Sequence, residues 1–212
     1  MEINYLDELM QRFPKLTVCM EDIKKADKLL LDTYVGGGKV LVCGNGGSAA
    51  DSDHIVGELM KGFLLKRKMN EQTAQSFRDA LGDDAEDFIV KLQYGVPAIS
   101  LPAQSAVLSA YANDVDAELV YAQLVFGYGK SGDLLICLST SGNSKNAVAA
   151  AKVAKALGVK TLALTGAKES KLSEICDVCI KAPETETFKV QELHLPIYHY
   201  LCANLENIIW DK

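Results

Sequence analysis

Two stretches of this chain repeat one pattern, a buried strand, a loop of small residues and a helix start, and that pattern limits the fold. In the first, Lys39-Val40-Leu41-Val42-Cys43 reads as a strand, followed by Gly44-Asn45-Gly46-Gly47-Ser48 and a helical pattern from Ala49 to about Lys61. In the second, Asp133-Leu134-Leu135-Ile136-Cys137-Leu138 leads to Ser139-Thr140-Ser141-Gly142-Asn143-Ser144. An Ala-rich helix from Lys145 to Leu157 comes next and stops at Gly158. Unbroken apolar strands of this kind lie in parallel sheets covered on both faces. Further strands are expected at Ala98–Leu101, Thr161–Leu164 and Val178–Ile180. Strands alternating with helices predict an α/β fold, a doubly wound parallel sheet, with ligands outside the carboxyl ends of the strands. Both loops fall at such ends.

The flanks are helical. Residues 4–13 and 15–33 carry apolar positions at helical spacing, with Pro14 as a break or as the first turn of the second helix. Residues 186–210 form a long C-terminal helical pattern in which Pro196 predicts a kink or a break. The charged stretch 66–96 fits no core strand; it reads as an inserted excursion with short helices at 76–81 and 85–92. The expected organisation is one domain over residues 1–212, with N-terminal helices over 1–35.

With 49% apolar and 24% charged residues, the chain has the profile of a globular protein and not of a disordered one. A net charge of -6 argues against a general nucleic-acid binder but leaves room for one local anion site. The start Met1–Glu8 lacks a signal-peptide pattern, and no apolar run reaches the roughly 18 residues of a membrane span. The expected setting is therefore the cytoplasm, with no membrane partner and six free thiols. Cys176 and Cys179 have C-x-x-C spacing, but without a second pair they read as packing.

The loop Ser139–Ser144 places four hydroxyls at a helix start. Hydroxyls, free first-turn N–H groups and the helix dipole then converge on one spot suited to a phosphate. One capping residue would meet the helix's own need, so the surplus favours an anion site. Gly44–Ser48 is neither G-x-G-x-x-G nor a P-loop, which weakens the case for NAD or ATP. His54 and Glu58, four apart, share a helix face. On the C-terminal helix, His194 and His199 lie on opposite sides of Gln191, about 60° and 80° away, so spacing does not choose between them. A His/Glu pair with a second His and an amide oxygen suits zinc, or acid–base transfer; an exposed ion pair and a core histidine account for the same residues.

Taken in order, Gly44-Asn45-Gly46-Gly47-Ser48, His54-x-x-x-Glu58-Leu59, Asn113-Asp114, Ser139–Ser144, and Gln191-Glu192-Leu193-His194 with His199 resemble the sugar isomerase (SIS) domain family. Within it they resemble the branch that isomerises heptose phosphates. The resemblance implies a five-stranded parallel sheet and a homotetramer with shared active sites. It also implies zinc held by His54, Glu58, Gln191 and His199. Substrate contacts are implied for Asn45, Gly46, Gly47, Ser48, Glu58, Asn113, Asp114, Ser139, Thr140, Ser141, Ser144 and Gln191. The implied reaction is aldose–ketose isomerisation of sedoheptulose 7-phosphate through an enediol, with Glu58 as base and His199 as acid. Two positions depart from the family pattern: Lys61-Gly62-Phe63 replaces Gly-Arg-aromatic, and Phe188 replaces an acidic residue. Stretch 66–96 is also longer than usual. A phosphosugar-binding regulator, a relative of the tetrameric factor that binds the replication initiator DnaA, and an enzyme on another phosphosugar are the competing readings.

Overall fold

The computed structural model describes residues 4–211, so the reading of Met1–Ile3 as part of an acidic, amphipathic start lies outside the described residues. Five strands form one parallel sheet: β1 (Val40–Gly44), β2 (Ala98–Ser100), β3 (Leu134–Leu138), β4 (Lys160–Thr165) and β5 (Val178–Lys181), in the order β2-β1-β3-β4-β5. Side chains alternate across the sheet. Val40 and Val42 of β1 pack with Leu134 and Ile136 of β3 on one face, while Leu41 and Cys43 pack with Leu135 and Cys137 on the other. Each buried Val or Leu contributes about 1.5–3 kcal/mol, which makes this double-sided core the main stabilising element.

The first face is covered by α1 (Tyr5–Arg12), α2 (Met20–Val35), α3 (Gly47–Met60) and α10 (Thr187–Trp210). The second is covered by α7 (Val120–Tyr128) and the Ala-rich α8 (Lys145–Ala156). Helices α4 (Glu71–Leu81) and α5 (Ala85–Lys91) make up most of stretch 66–96, whose neck is closed by an antiparallel bridge between Lys68 and Gln93. Helices α6 (Ser105–Tyr111) and α9 (Lys171–Ile175) complete the set. Among the described residues no helix is long and apolar enough to cross a membrane.

Three local expectations need correction. The second N-terminal helix does not start at residue 15: Pro14–Cys19 is a 3-10 turn, with Pro14 in its first turn, and the α-helix begins at Met20. Of the kink or break expected at Pro196, the break is absent: α10 runs through it with the proline buried, so packing offsets the one missing backbone bond. Residues 105–128 and 171–175 hold three helices that the strand–helix reading did not single out.

At the amino ends of the strands, Asp133 accepts from the amides of Lys39 and Lys130 and from the Lys39 ammonium. Burial works to raise the Asp133 pKa, but those bonds outweigh it and hold the carboxyl below its ordinary range. This pair ties β1 to β3 at the end remote from both loops.

Candidate active site

The strand order reverses between β1 and β3, so the loops after these two strands lie side by side at the carboxyl ends, joined by Asn45 and Asn146. Both helices that follow, α3 and α8, begin without a side-chain cap. Ser144 occupies the N-cap position of α8, yet its hydroxyl bonds that of Ser139 at 2.9 Å instead of a backbone amide. Ser141 Oγ accepts from the Asn143 amide at 3.2 Å and fixes the turn. Gly142 has φ +65°, and a Cβ there would stand 2.1 Å from Ser170 Oγ, so the turn admits only glycine. The hydroxyls thus shape the loop; of the first-turn amides of α8, that of Ala147 is taken by Asn146 Oδ1, which leaves those of Lys145 and Asn146 to meet an anion.

Asn45 and Asn146 exchange two amide hydrogen bonds of 2.9 Å. The Ala147 amide donates to Asn146 Oδ1 at 2.9 Å, which fixes the orientation of Asn146 and, through it, that of Asn45. Tyr121 donates to the Gly44 carbonyl at 2.6 Å and rests its oxygen 3.3 Å from Asn45 Oδ1. Burial pushes the Tyr121 phenol up to about 12. Gly46 is exposed at φ +58°, and Ser48 is buried in the first turn of α3. Gln191 of α10 lies against Gly47: a Cβ on Gly47 would be 2.7 Å from Gln191 Nε2. The half-buried Thr140 accepts the Gly166 amide through its carbonyl. Asn113 and Asp114 bond each other on the exposed stretch between α6 and α7, apart from these two loops.

Farther along α3 and α10, ring nitrogens and a carboxylate gather. His54 Nε2 is 3.2 Å from Glu58 Oε1 and 3.5 Å from His199 Nε2. Tyr198 donates its single hydroxyl hydrogen to Asp51 Oδ1 at 3.2 Å, so it accepts from His54 Nδ1 at 3.0 Å. That bond leaves the His54 Nε2 lone pair facing Glu58 and His199. Burial lowers the His199 pKa, and the neighbouring His54 adds to this; Glu58 opposes it. Burial, with Asp51 beside it, raises the Tyr198 phenol. Lys61 Nζ meets the other Glu58 oxygen at 3.0 Å, and the Phe63 ring packs on His199 with centroids 5.6 Å apart. His194 is fully buried and bonds the Thr165 carbonyl through Nε2 at 3.2 Å, away from this group.

Among the described residues no group of three or more His, Cys, Asp and Glu side chains is arranged to hold a metal ion. The donor chemistry nevertheless fits a cation. Lone pairs of His54 and Glu58 face each other across 3.2 Å, which is favourable only with positive charge between them. The 3.2 and 3.5 Å separations bracket the roughly 3.3 Å edge of a tetrahedron of nitrogen and oxygen ligands around zinc. Gln191 stands apart at Gly47. Tyr121, Asn146, Tyr198 and Asp51 were not singled out from the sequence. No local motif marks them, because each acts through a partner far off in the chain.

Profiles of the SIS domain match residues 4–87 and 106–201. A phosphoheptose isomerase of Akkermansia muciniphila is 33% identical over 207 residues, covering 98% of this chain and 96% of its own. Solved phosphoheptose isomerases from Francisella tularensis and Neisseria gonorrhoeae superpose with TM-scores of 0.76 and 0.73. They share 26% and 27% identity with the chain, cover 96% and 95% of it, and are themselves covered to 95% and 93%. The chain belongs to the SIS domain family. Within that family it stands among the phosphosugar isomerases.

Proposed function

We propose that this isomerase interconverts sedoheptulose 7-phosphate and an aldoheptose 7-phosphate, with the phosphate at the Ser139–Ser144 loop and the carbonyl end at Glu58 and His199. One observation carries the reading. An uncapped hydroxyl-rich helix start after β3 adjoins the loop that opens α3 through the Asn146–Asn45 pair, and from that loop the seam between α3 and α10 runs from Gln191 against Gly47 to His199 against His54. Helix rise puts His54 about 10 Å along α3 from Gly47, a span that suits an open seven-carbon chain.

In the ketose-to-aldose direction Glu58 takes the proton from C1 while His199 gives a proton to the C2 oxygen, forming an enediol. His199 then takes the proton from the C1 oxygen, and Glu58 returns its proton to C2; the balance is zero. Asn45, Gly46, Gly47, Ser48, Ser139, Thr140, Ser141, Ser144 and Gln191 hold the substrate. A zinc ion held by His54, Glu58 and His199 would stabilise the charge developing on the enediol oxygens; Gln191, the fourth ligand the resemblance implies, would have to swing away from Gly47 to join it. Asn113 and Asp114, exposed beside Val115 (64% exposed), suit contact with a substrate held by another copy in a homotetramer. Six free cysteines suit the proposed cytoplasmic setting.

The test is incubation of the pure protein with a panel of ketose phosphates. An aldoheptose phosphate formed from the seven-carbon member is the expected product. Binding of phosphosugars without turnover, in the presence of zinc, would leave a regulator and sink the isomerase mechanism. Elemental analysis of wild type beside His199→Ala checks the metal; equal zinc in both removes His199 from the ligand set.

A further inference from the structure

A buried ion pair, Arg67 with Glu206, sits just beyond the His/Glu group, with side chains 1% and 0% exposed. Arg67 Nε meets Glu206 Oε1 at 2.7 Å. Its other two nitrogens cap the end of α3, Nη1 on the Leu59 carbonyl at 2.5 Å and Nη2 on the Glu58 carbonyl at 2.9 Å. These carbonyls lack helical partners, and a cation at a helix carboxyl end is favoured by the dipole. The Trp210 ring lies under the guanidinium, 4.5 Å from centroid to Cζ. Glu206 accepts three successive amides, Phe63 at 2.8 Å, Leu64 at 2.6 Å and Leu65 at 2.9 Å. Burial alone would raise the Glu206 pKa, but these bonds and Arg67 hold it below its ordinary value.

The placement matters more than the pairing. Arg67 grips the backbone of Glu58 itself. Glu206 lies seven residues after His199, two turns on and on the same face of α10. The loop it grips carries Phe63, whose ring rests on His199. Buried ion pairs are weak stabilisers because desolvation offsets their attraction, so stability is a poor reason for burying this one. We infer that Arg67 and Glu206 are positioning residues for the isomerisation, a strut that fixes Glu58 of α3 relative to His199 of α10. This rests on the isomerase mechanism proposed above.

The test compares Arg67→Lys and Glu206→Gln with Asp133→Asn, which removes a charge from the half-buried Lys39–Asp133 pair at the remote end of the sheet. All three are assayed at a temperature where circular dichroism shows them folded. The expected result is a kcat at least about tenfold lower in the two strut variants, with KM within about threefold of wild type, since small misplacements of reacting groups are costly. Asp133→Asn should lose thermal stability and keep its kcat. Strut variants with kcat within about twofold of wild type, or a fall shared by Asp133→Asn, would overturn the inference while leaving the isomerase intact. An inactive wild type would instead overturn the isomerase reading. The crystal structure of Glu206→Gln then decides on the strut by itself. Widened His54–Glu58 and His54–His199 separations uphold it; unchanged 3.2 and 3.5 Å separations refute it.

Discussion

The loop after β3 and the His/Glu group between α3 and α10 are built by different means. The proposed cradle is one run of six residues at the end of β3, leading into a helix start whose N-cap side chain caps no backbone amide. The His/Glu group is assembled from side chains on two helices, with His54 and His199 separated by 145 positions in the chain. A backbone-built site tolerates loss of a single side chain, because the helix end and its dipole remain. A side-chain-built site does not. Substitutions at the cradle should therefore weaken binding in small steps, while those in the His/Glu group should abolish turnover and spare binding.

The sharpest break of that contrast is Glu58→Gln. Loss of a positioned base should lower kcat about 10²–10⁴-fold, with phosphosugar affinity by calorimetry changed little. A variant that keeps kcat within tenfold would put the base elsewhere, and the division of labour between the two regions would fail.

Legibility in the sequence follows the same division. The sheet and the position of the Ser139–Ser144 loop were readable because strand, loop and helix are contiguous, and the loop lies where strand order reverses. The amide exchange between Asn45 and Asn146 and the Arg67–Glu206 strut carry no local signal, since each joins elements brought together by folding. Helices α6 and α7 escaped notice because the reading followed strand-and-loop units. The choice between His194 and His199 was open on spacing because Gln191 sits between them on the helix. Geometry separates them: His199 faces His54, while His194 faces the core.

That separation gives the next largest effect. Burial lowers the His194 pKa to about 4 from an ordinary 6.5, with the Thr165 carbonyl bond working the other way. Above pH 6.5 both folded and unfolded chains carry it neutral, so its contribution to stability is complete. As pH falls from 6.5 towards 4 only the unfolded chain takes the proton, and stability drops by up to about 1.4 kcal/mol per pH unit, about 3 kcal/mol in all. Urea unfolding of wild type and His194→Gln at pH 7 and pH 4 isolates this, as glutamine keeps a donor for Thr165. A stability difference that does not change with pH would mean that His194 is reached by solvent.

At the cradle, Ser144→Ala removes the hydroxyl that bonds Ser139 and leaves the backbone N–H groups in place, so KM should rise about 3–10-fold at unchanged kcat, the worth of one neutral hydrogen bond. A fall in kcat with KM held would show that the cradle takes part in the chemistry and would erase the contrast between the two regions.

The smallest expected effect tests how the two loops are held together. Asn146 is oriented by the Ala147 amide and in turn orients Asn45, so that Asn45 Nδ2 keeps one hydrogen directed away from the pair. Asn146→Ala leaves Asn45 free to rotate and should raise KM about 2–10-fold, the worth of one neutral hydrogen bond. Asn146→Asp keeps the acceptor for Ala147 but sets a carboxylate oxygen against Asn45 Oδ1 and adds negative charge to an anion site, so its KM should rise further. Combining Asn146→Ala with Asn45→Ala should add little to either single change, because residues in one network do not act independently. Equal losses for Ala and Asp, or full additivity in the double variant, would show that Asn45 is oriented without Asn146 and that the two loops bind the phosphosugar separately.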